Sequence, residues 1–184
     1  MNGGESESIA SADLPSVMEP NSPAPEASTD KVSQYQRGLH FWTLGDYREA
    51  FPWFKSSADM GHREARYYLG LAYLYGRATI QNYRLAFEQM EASARQNHLD
   101  AQHRLGLMYR DDIGVAKNRE QAYVWLNIAA SRGHEVATQD RDKLAAGMST
   151  DEIARAQDGT MKELANLRAV AAPKIAEISA APAQ

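Results

Sequence analysis

A spacing of 36 residues governs this sequence. It links His62 to His98 and His98 to His134, and the same step links Asp46, Asn82 and Asn118. It joins Ala50, Ala86 and Ala122, then Phe51, Phe87 and Tyr123, then Ala65, Ala101 and Ala137. Ala58, Ala94 and Ala130 share the register, as do Gly61, Asn97 and Gly133. A fixed period of this size marks an array of stacked supersecondary units, each too small to bury its apolar face alone.

The unit reads as an antiparallel pair of helices. Asp46, Asn82 and Asn118 each precede a stretch of helical apolar spacing. Their short side-chain oxygens suit an N-cap, where they accept from an orphan amide of the first turn. From Asn118, the residues Ala122, Tyr123, Leu126, Ala129 and Ala130 form one stripe at intervals of three and four. Gly61, Asn97 and Gly133 then end the helix, being types that tolerate a left-handed C-terminal cap. A second stripe follows in each unit: Ala65, Leu69, Ala72 and Tyr73, then Ala101, Leu105, Met108 and Tyr109. Gly70 and Gly106 lie within these helices, and Gly38 within an opening helix expected over about 31–44. Glycine there costs about 1 kcal/mol against alanine, so it predicts the close approach of another helix. Pro52 predicts a kink or a delayed start in the second helix of the first unit.

These residues resemble the Sel-1-like repeat family, a branch of the tetratricopeptide-type α-solenoids. The third unit, AQHRLGLMYRDDIGVAKNREQAYVWLNIAASRGH from Ala101 to His134, carries the family's Leu-Gly-x-x-Tyr, its Gly-Val loop and its closing Ala-Ala…Gly. The second unit keeps Leu69, Gly70, Tyr73, Gly76 and Ala86, but departs at Ala78–Thr79 and at Gln89. The first has a shorter turn, LGDY at residues 44–47. The resemblance implies an all-α fold: a short right-handed α-α superhelix of about three helix-pair repeats plus C-terminal capping helices. Residues 135–157 suit that cap, and Ser149 with Glu152 offers a capping box. Trp53 and Trp125 stand at the family's structural tryptophan position, which implies that both are core.

Composition divides the chain. Residues 1–30 hold six acids and no Lys or Arg, with Pro15, Pro20, Pro23 and Pro25, and read as a disordered acidic arm. Residues 31–170 are the repeat domain, and 171–184 an Ala/Pro-rich flexible tail. The chain beyond the arm carries 18 acids against 20 bases, which gives no ground for nucleic-acid binding through phosphate neutralisation. With no cysteine, disulfides and thiolate chemistry are excluded. The first twenty residues lack the basic start and apolar run of a signal peptide, and no segment is apolar enough to span a membrane. The expected location is cytoplasmic, or periplasmic if the N-terminus has been trimmed, and a monomer is favoured.

Catalytic and metal chemistry find little support. His62, His98 and His134 recur once per repeat, so stacking separates them by roughly 10 Å, whereas zinc ligands lie about 2 Å from one ion. They read as turn residues bonding nearby backbone. Asp111, Asp112, Asp140 and Asp142 have Arg110, Arg141 and Lys143 beside them and read as solvated ion pairs. There is no phosphate loop, nucleophile elbow or cofactor motif, so no enzyme, cofactor or metal site is expected.

The resemblance directs attention to a surface instead. In related folds the first helices of successive pairs line a concave groove that can hold a peptide. Aligning Gly38, Gly70 and Gly106 gives three rows. Tyr35, Tyr67, His103 and Gln139 form one, and Leu39, Leu71, Leu107 and Lys143 another. The third is Trp42, Leu74 and Arg110, with Tyr75 and Asp111 beside it. Tyr, Trp and Arg are the types that anchor interfaces; the leucines and Trp42 equally suit the space between curved helices. Such a groove would take a short segment with apolar anchors and an acidic end near Arg110 and Lys143. The expected function is a non-enzymatic adaptor or scaffold that binds a protein or peptide partner there. The alternative makes the acidic arm the recognised or self-inhibitory element, with the solenoid as a rigid mount.

Overall fold

Each repeat closes on itself because its two apolar stripes face one another. The computed structural model describes residues 30–179, with side chains described over 30–170. The described residues form eight helices and no strand. Three pairs come first: α1 (Lys31–Thr43) with α2 (Tyr47–Asp59), α3 (Arg63–Tyr75) with α4 (Tyr83–Ala94), and α5 (Leu99–Asp111) with α6 (Arg119–Ser131). Then follow α7 (Glu135–Ala145) and α8 (Thr150–Ser179). The second helix of each pair packs on the first helix of the next, which makes the chain an all-α solenoid. The acidic arm falls outside the described residues, apart from Asp30.

The glycine column sets the helix separation within each pair. A Cβ on Gly38 would lie 2.7 Å from Phe54, one on Gly70 3.0 Å from Met90, and one on Gly106 2.7 Å from Leu126. Phe54, Met90 and Leu126 are themselves 36 residues apart and fully buried. A second link in each of the first two pairs is a buried serine. Ser57 donates to the Lys31 carbonyl and Ser93 to the Arg63 carbonyl, tying the end of the second helix to the start of the first.

The turns follow the repeat with one exception. Gly61, Asn97 and Gly133 all have positive φ, at 81°, 66° and 90°. Asn82 and Asn118 cap α4 and α6, each Oδ1 accepting at 3.0 Å from the amide three residues on. Asp46 occupies the N-cap of α2, but its side chain makes no capping bond. Its ψ is 64°, against 98° and 104° at Asn82 and Asn118. The short turn through Gly45 thus swings the carboxylate away from the first-turn amides. Pro52 does not delay α2, which starts at Tyr47 and runs through it. Both Pro52 and Arg48 are exposed, so the carbonyl that loses its donor lies on the solvent side.

The C-terminal end is closed by α8, which folds back on α6. The Ser149–Glu152 capping box forms in both directions, with Ser149 N donating to Glu152 Oε2 at 2.7 Å and Glu152 N to Ser149 Oγ at 3.3 Å. Ala156, Thr160 and Leu167 are the buried residues of α8 itself, and the Arg155–Glu120 and Arg95–Glu163 pairs (2.8 and 2.7 Å) pin its flanks. The helix continues to Ser179, past the boundary that composition sets at 170, as an alanine-rich stretch favours. Trp125 is buried at 2% exposure, whereas Trp53 is only half-buried, under the Arg37 guanidinium. The expectation that both are core therefore holds for Trp125 alone. Among the described residues no helix covers α2 as α8 covers α6, and Phe54 takes the core position in the first pair.

Candidate partner-binding site

The histidine column proves to be a column of N-caps. His62, His98 and His134 precede α3, α5 and α7, and each Nδ1 accepts from the amide three residues on, at 3.3, 3.2 and 3.1 Å. An accepting Nδ1 carries no proton, so the imidazole must be neutral. Burial helps by pushing the pKa of His62 and His98 below the ordinary value of 6.5, with Glu64 and Asp100 pulling the other way.

Each cap ring also receives the first row of predicted groove residues. Tyr35 stacks on His62 with ring centroids 4.7 Å apart, and Tyr67 on His98 at 4.6 Å. His103 lies against His134 at 4.5 Å and bonds Asp140 through Nε2 at 2.8 Å. Burial lowers the His103 pKa, opposed by the Asp140 bond. The row is thus the joint between one repeat and the next.

The other predicted groove residues divide. Trp42 is buried against Tyr47, Phe54 and Tyr68, with Arg77 over its outer ring face. Leu71 is buried, and Leu39 packs half-buried on the same core. Leu74, Tyr75, Leu107 and Arg110 come together at the C-terminal ends of α3 and α5, around a cavity of about 210 Å³. A cavity of about 150 Å³ holds benzene, so this one has room for a large apolar side chain. Tyr75 stands at its edge, 43% exposed.

Sequence reasoning missed half of the cavity wall. Met108 and Ile113 supply further apolar surface, and Gln81 and Tyr83 enter from the loop between α3 and α4. Arg104, buried at the back, donates to the Tyr75 hydroxyl at 3.1 Å and fixes that ring. Loop path decides this wall. Gly114, with φ of 72°, lies so close to the start of α4 that a Cβ there would run into the Tyr83 carbonyl.

Beside the cavity is a second hollow of about 360 Å³, and Arg110 belongs to both. Lys117 from the loop before α6, Arg119 from the first turn of α6 and Lys143 from α7 complete its basic wall. Arg110 holds both oxygens of Asp111 at 2.8 and 2.7 Å and lies 3.6 Å from Asp140. Arg119 donates to the Gly147 carbonyl. Arg119 also acts on the Glu152 carboxylate, and among the described residues no ion pair is seen for Lys117 or Lys143, both of which are exposed. The pairing of Arg110 with Lys143, expected from the sequence, is present here; Lys117 and Arg119 are additions that only the loop's course reveals.

Comparison with known proteins bears on the fold. The family model for the Sel1 repeat matches residues 31–62, 63–98 and 99–134. A Sel1 repeat protein from Oxalobacter formigenes superposes with a TM-score of 0.58 at 34% identity, over 62% of this chain and 34% of that one. A protective antigen present in uropathogenic Escherichia coli strains, displaying an SLR fold, superposes with a TM-score of 0.72 at 23% identity, over 84% of this chain and 34% of that one. The chain thus spans about a third of the length of either structure. No curated protein matches it. Among the described residues no helix is long and apolar enough to cross a membrane.

Proposed function

The chain belongs to the Sel1 repeat family, and we propose that it is an adaptor whose α3–α5–α7 face holds a segment of a protein partner. Members of the family generally serve as protein–protein interaction modules and typically as non-catalytic scaffolds. The observation that carries the finer reading is the juxtaposition of an apolar cavity with a basic hollow through the shared Arg110. An apolar side chain of the partner fills the space between Leu74, Leu107 and Ile113, with Tyr75 as its rim. An acidic neighbour on the same segment meets Lys117, Arg119 and Lys143. Buried aromatic and arginine anchors with a polar surround are the usual makeup of an interface hot spot.

Capture from a lysate of the source organism tests this, with the wild type, Tyr75→Asp and Met161→Asp as baits. Met161 is 69% exposed on α8, away from the face. A protein retained by wild type and Met161→Asp but lost with Tyr75→Asp, and photo-crosslinked from position 75, supports the reading. Equal capture by all three baits overturns it.

A further inference from the structure

The two hollows are successive copies of one inter-repeat chamber. The residues lining the basic hollow, Arg110, Lys117, Arg119, Lys143, Leu144 and Gly147, each stand 36 positions after a residue lining the apolar cavity: Leu74, Gln81, Tyr83, Leu107, Met108 and Asp111. One repeat earlier the position of Leu74 belongs to Trp42, each lying four residues after its helix glycine, Gly70 or Gly38. We propose that the cavity is a tryptophan pocket, which takes an indole side chain from the partner while an acid about three residues away reaches the basic copy. This rests on the reading of the face as partner-holding and names what it holds.

Trp42 shows how the chamber is filled in the first repeat. Its ring meets Tyr47, Phe54 and Tyr68 edge-on, at centroid distances of 4.7, 5.7 and 5.4 Å, with the Arg77 guanidinium 5.1 Å over it. The residues 36 positions after Tyr47, Tyr68 and Arg77 are Tyr83, Arg104 and Ile113, and all three line the cavity. The second chamber thus keeps the equivalent walls, while Leu74 stands where the indole stood. What remains is about 210 Å³ of open space, more than benzene requires.

An aromatic ring suits these walls better than an aliphatic chain. Arg104 at the back and Arg110 at the rim present guanidinium groups, and a cation is drawn to the face of a ring as it is not to saturated carbon. Tyr83 supplies a ring of its own. In the third chamber the walls turn basic: Leu74 gives way to Arg110, Gln81 to Lys117 and Leu107 to Lys143. Glu152 acts on Arg119, which leaves the exposed Lys117 and Lys143 to meet an acid. Successive chambers lie roughly 10 Å apart, and three extended residues span about 10 Å, so one short segment reaches both.

The probe is the synthetic peptide acetyl-Gly-Ser-Trp-Ser-Gly-Glu-Ser-Gly-amide, titrated into the full-length chain and followed by amide NMR. Shifts should concentrate in residues 74–83 and 104–119 and should saturate. Leucine in place of the tryptophan should weaken binding about tenfold or more. Glutamine in place of the glutamate should weaken it by a smaller factor, and that preference should be lost in Lys117→Glu/Lys143→Glu, two exposed positions that leave the core untouched. Leu74→Trp, which gives the second repeat the residue of the first, should keep the fold, fill the cavity from within and lose the peptide. Equal affinity for the leucine and tryptophan peptides, shifts confined to another face, or a folded Leu74→Trp chain that still binds the peptide overturns the proposal. If no peptide binds while capture still depends on Tyr75, the adaptor reading stands and the tryptophan assignment alone fails.

Discussion

Tyr67 stacks face to face on His98, the two ring centroids 4.6 Å apart and the planes 17° from parallel. The histidine caps α5 through its other edge, so one imidazole both starts a helix and receives the aromatic ring of the repeat before it. Tyr35 and His62 repeat the arrangement one unit earlier. Repeats are therefore joined by a ring pair as well as by aliphatic packing, which nearest-neighbour coupling in a solenoid requires.

Tyr67→Ala should consequently unfold the chain more easily rather than act on binding alone. Tyr67 is 3% exposed, and loss of a buried aromatic side chain costs about 3–5 kcal/mol. Tyr75→Ala, at a 43% exposed rim, should cost less than about 1 kcal/mol. Urea denaturation of the two variants checks this; equal destabilisation would mean that Tyr75 belongs to the core.

The caps make stability fall on mild acidification. In the unfolded chain His62 and His98 titrate near 6.5, while burial holds their folded values lower. Below 6.5 the unfolded chain binds more protons, so stability is full above that pH and declines as pH drops toward the folded values. His103, likewise lowered by burial, adds to the decline. Glu64, held down by its Arg63 bond against the effect of burial, and Asp100, held down by a hydrogen bond from His134, act only as pH falls from the ordinary carboxylate range toward their lower folded values. Replacing His62 and His98 by Asn keeps a capping acceptor but removes its titration. The double variant should flatten the stability profile between 6.5 and about 5, as read by chemical denaturation at each pH. An unchanged slope would remove these two caps as its source.

The sequence predicts the helix pairs, the left-handed turn residues and the glycine approaches because each follows from a local preference repeated three times. The Tyr35–Tyr67–His103 row lies on the expected helices, but its engagement with the caps depends on the angle between successive repeats, which no single unit encodes. Histidine is not among the favoured N-cap types, so its period marks a turn residue bonding nearby backbone without specifying that the bond is a helix cap. Lys117 and Arg119 were invisible as site residues for a related reason. They sit after a loop whose path is set by the packing of Gly114 on Tyr83, a contact between segments some thirty residues apart. Asp46 shows the opposite case, where the favoured residue type is present and the turn withholds its geometry.

Gly106→Ala should destabilise although alanine is the better helix former. The added carbon would lie 2.7 Å from Leu126 Cγ and 3.1 Å from Leu126 N. Overpacking costs about 1–3 kcal/mol, against a gain of about 1 kcal/mol in propensity. Because part of the contact is backbone, α6 must shift as a unit. A melting temperature at or above the wild type would show that the pair can separate freely.

Gly114 and Ala78 are the same position in successive repeats, 36 residues apart, and both have positive φ, at 72° and 66°. Ala78 is exposed, so it bears the strain of a left-handed backbone without a collision. For a non-glycine residue that strain is about 1–2 kcal/mol. Ala78→Gly should therefore stabilise the chain by up to about 1 kcal/mol after the entropy cost of glycine is counted. Gly114→Ala should do the reverse and more, since its Cβ would also strike the Tyr83 carbonyl. Relief of that clash must push the loop away from α4, and with it Ile113 and Tyr83, two walls of the cavity. The expected result is a loss of more than about 2 kcal/mol together with weakened partner capture. Denaturation of both variants under one set of conditions decides it: if they shift stability in the same direction, the backbone at this position is not what distinguishes the two loops.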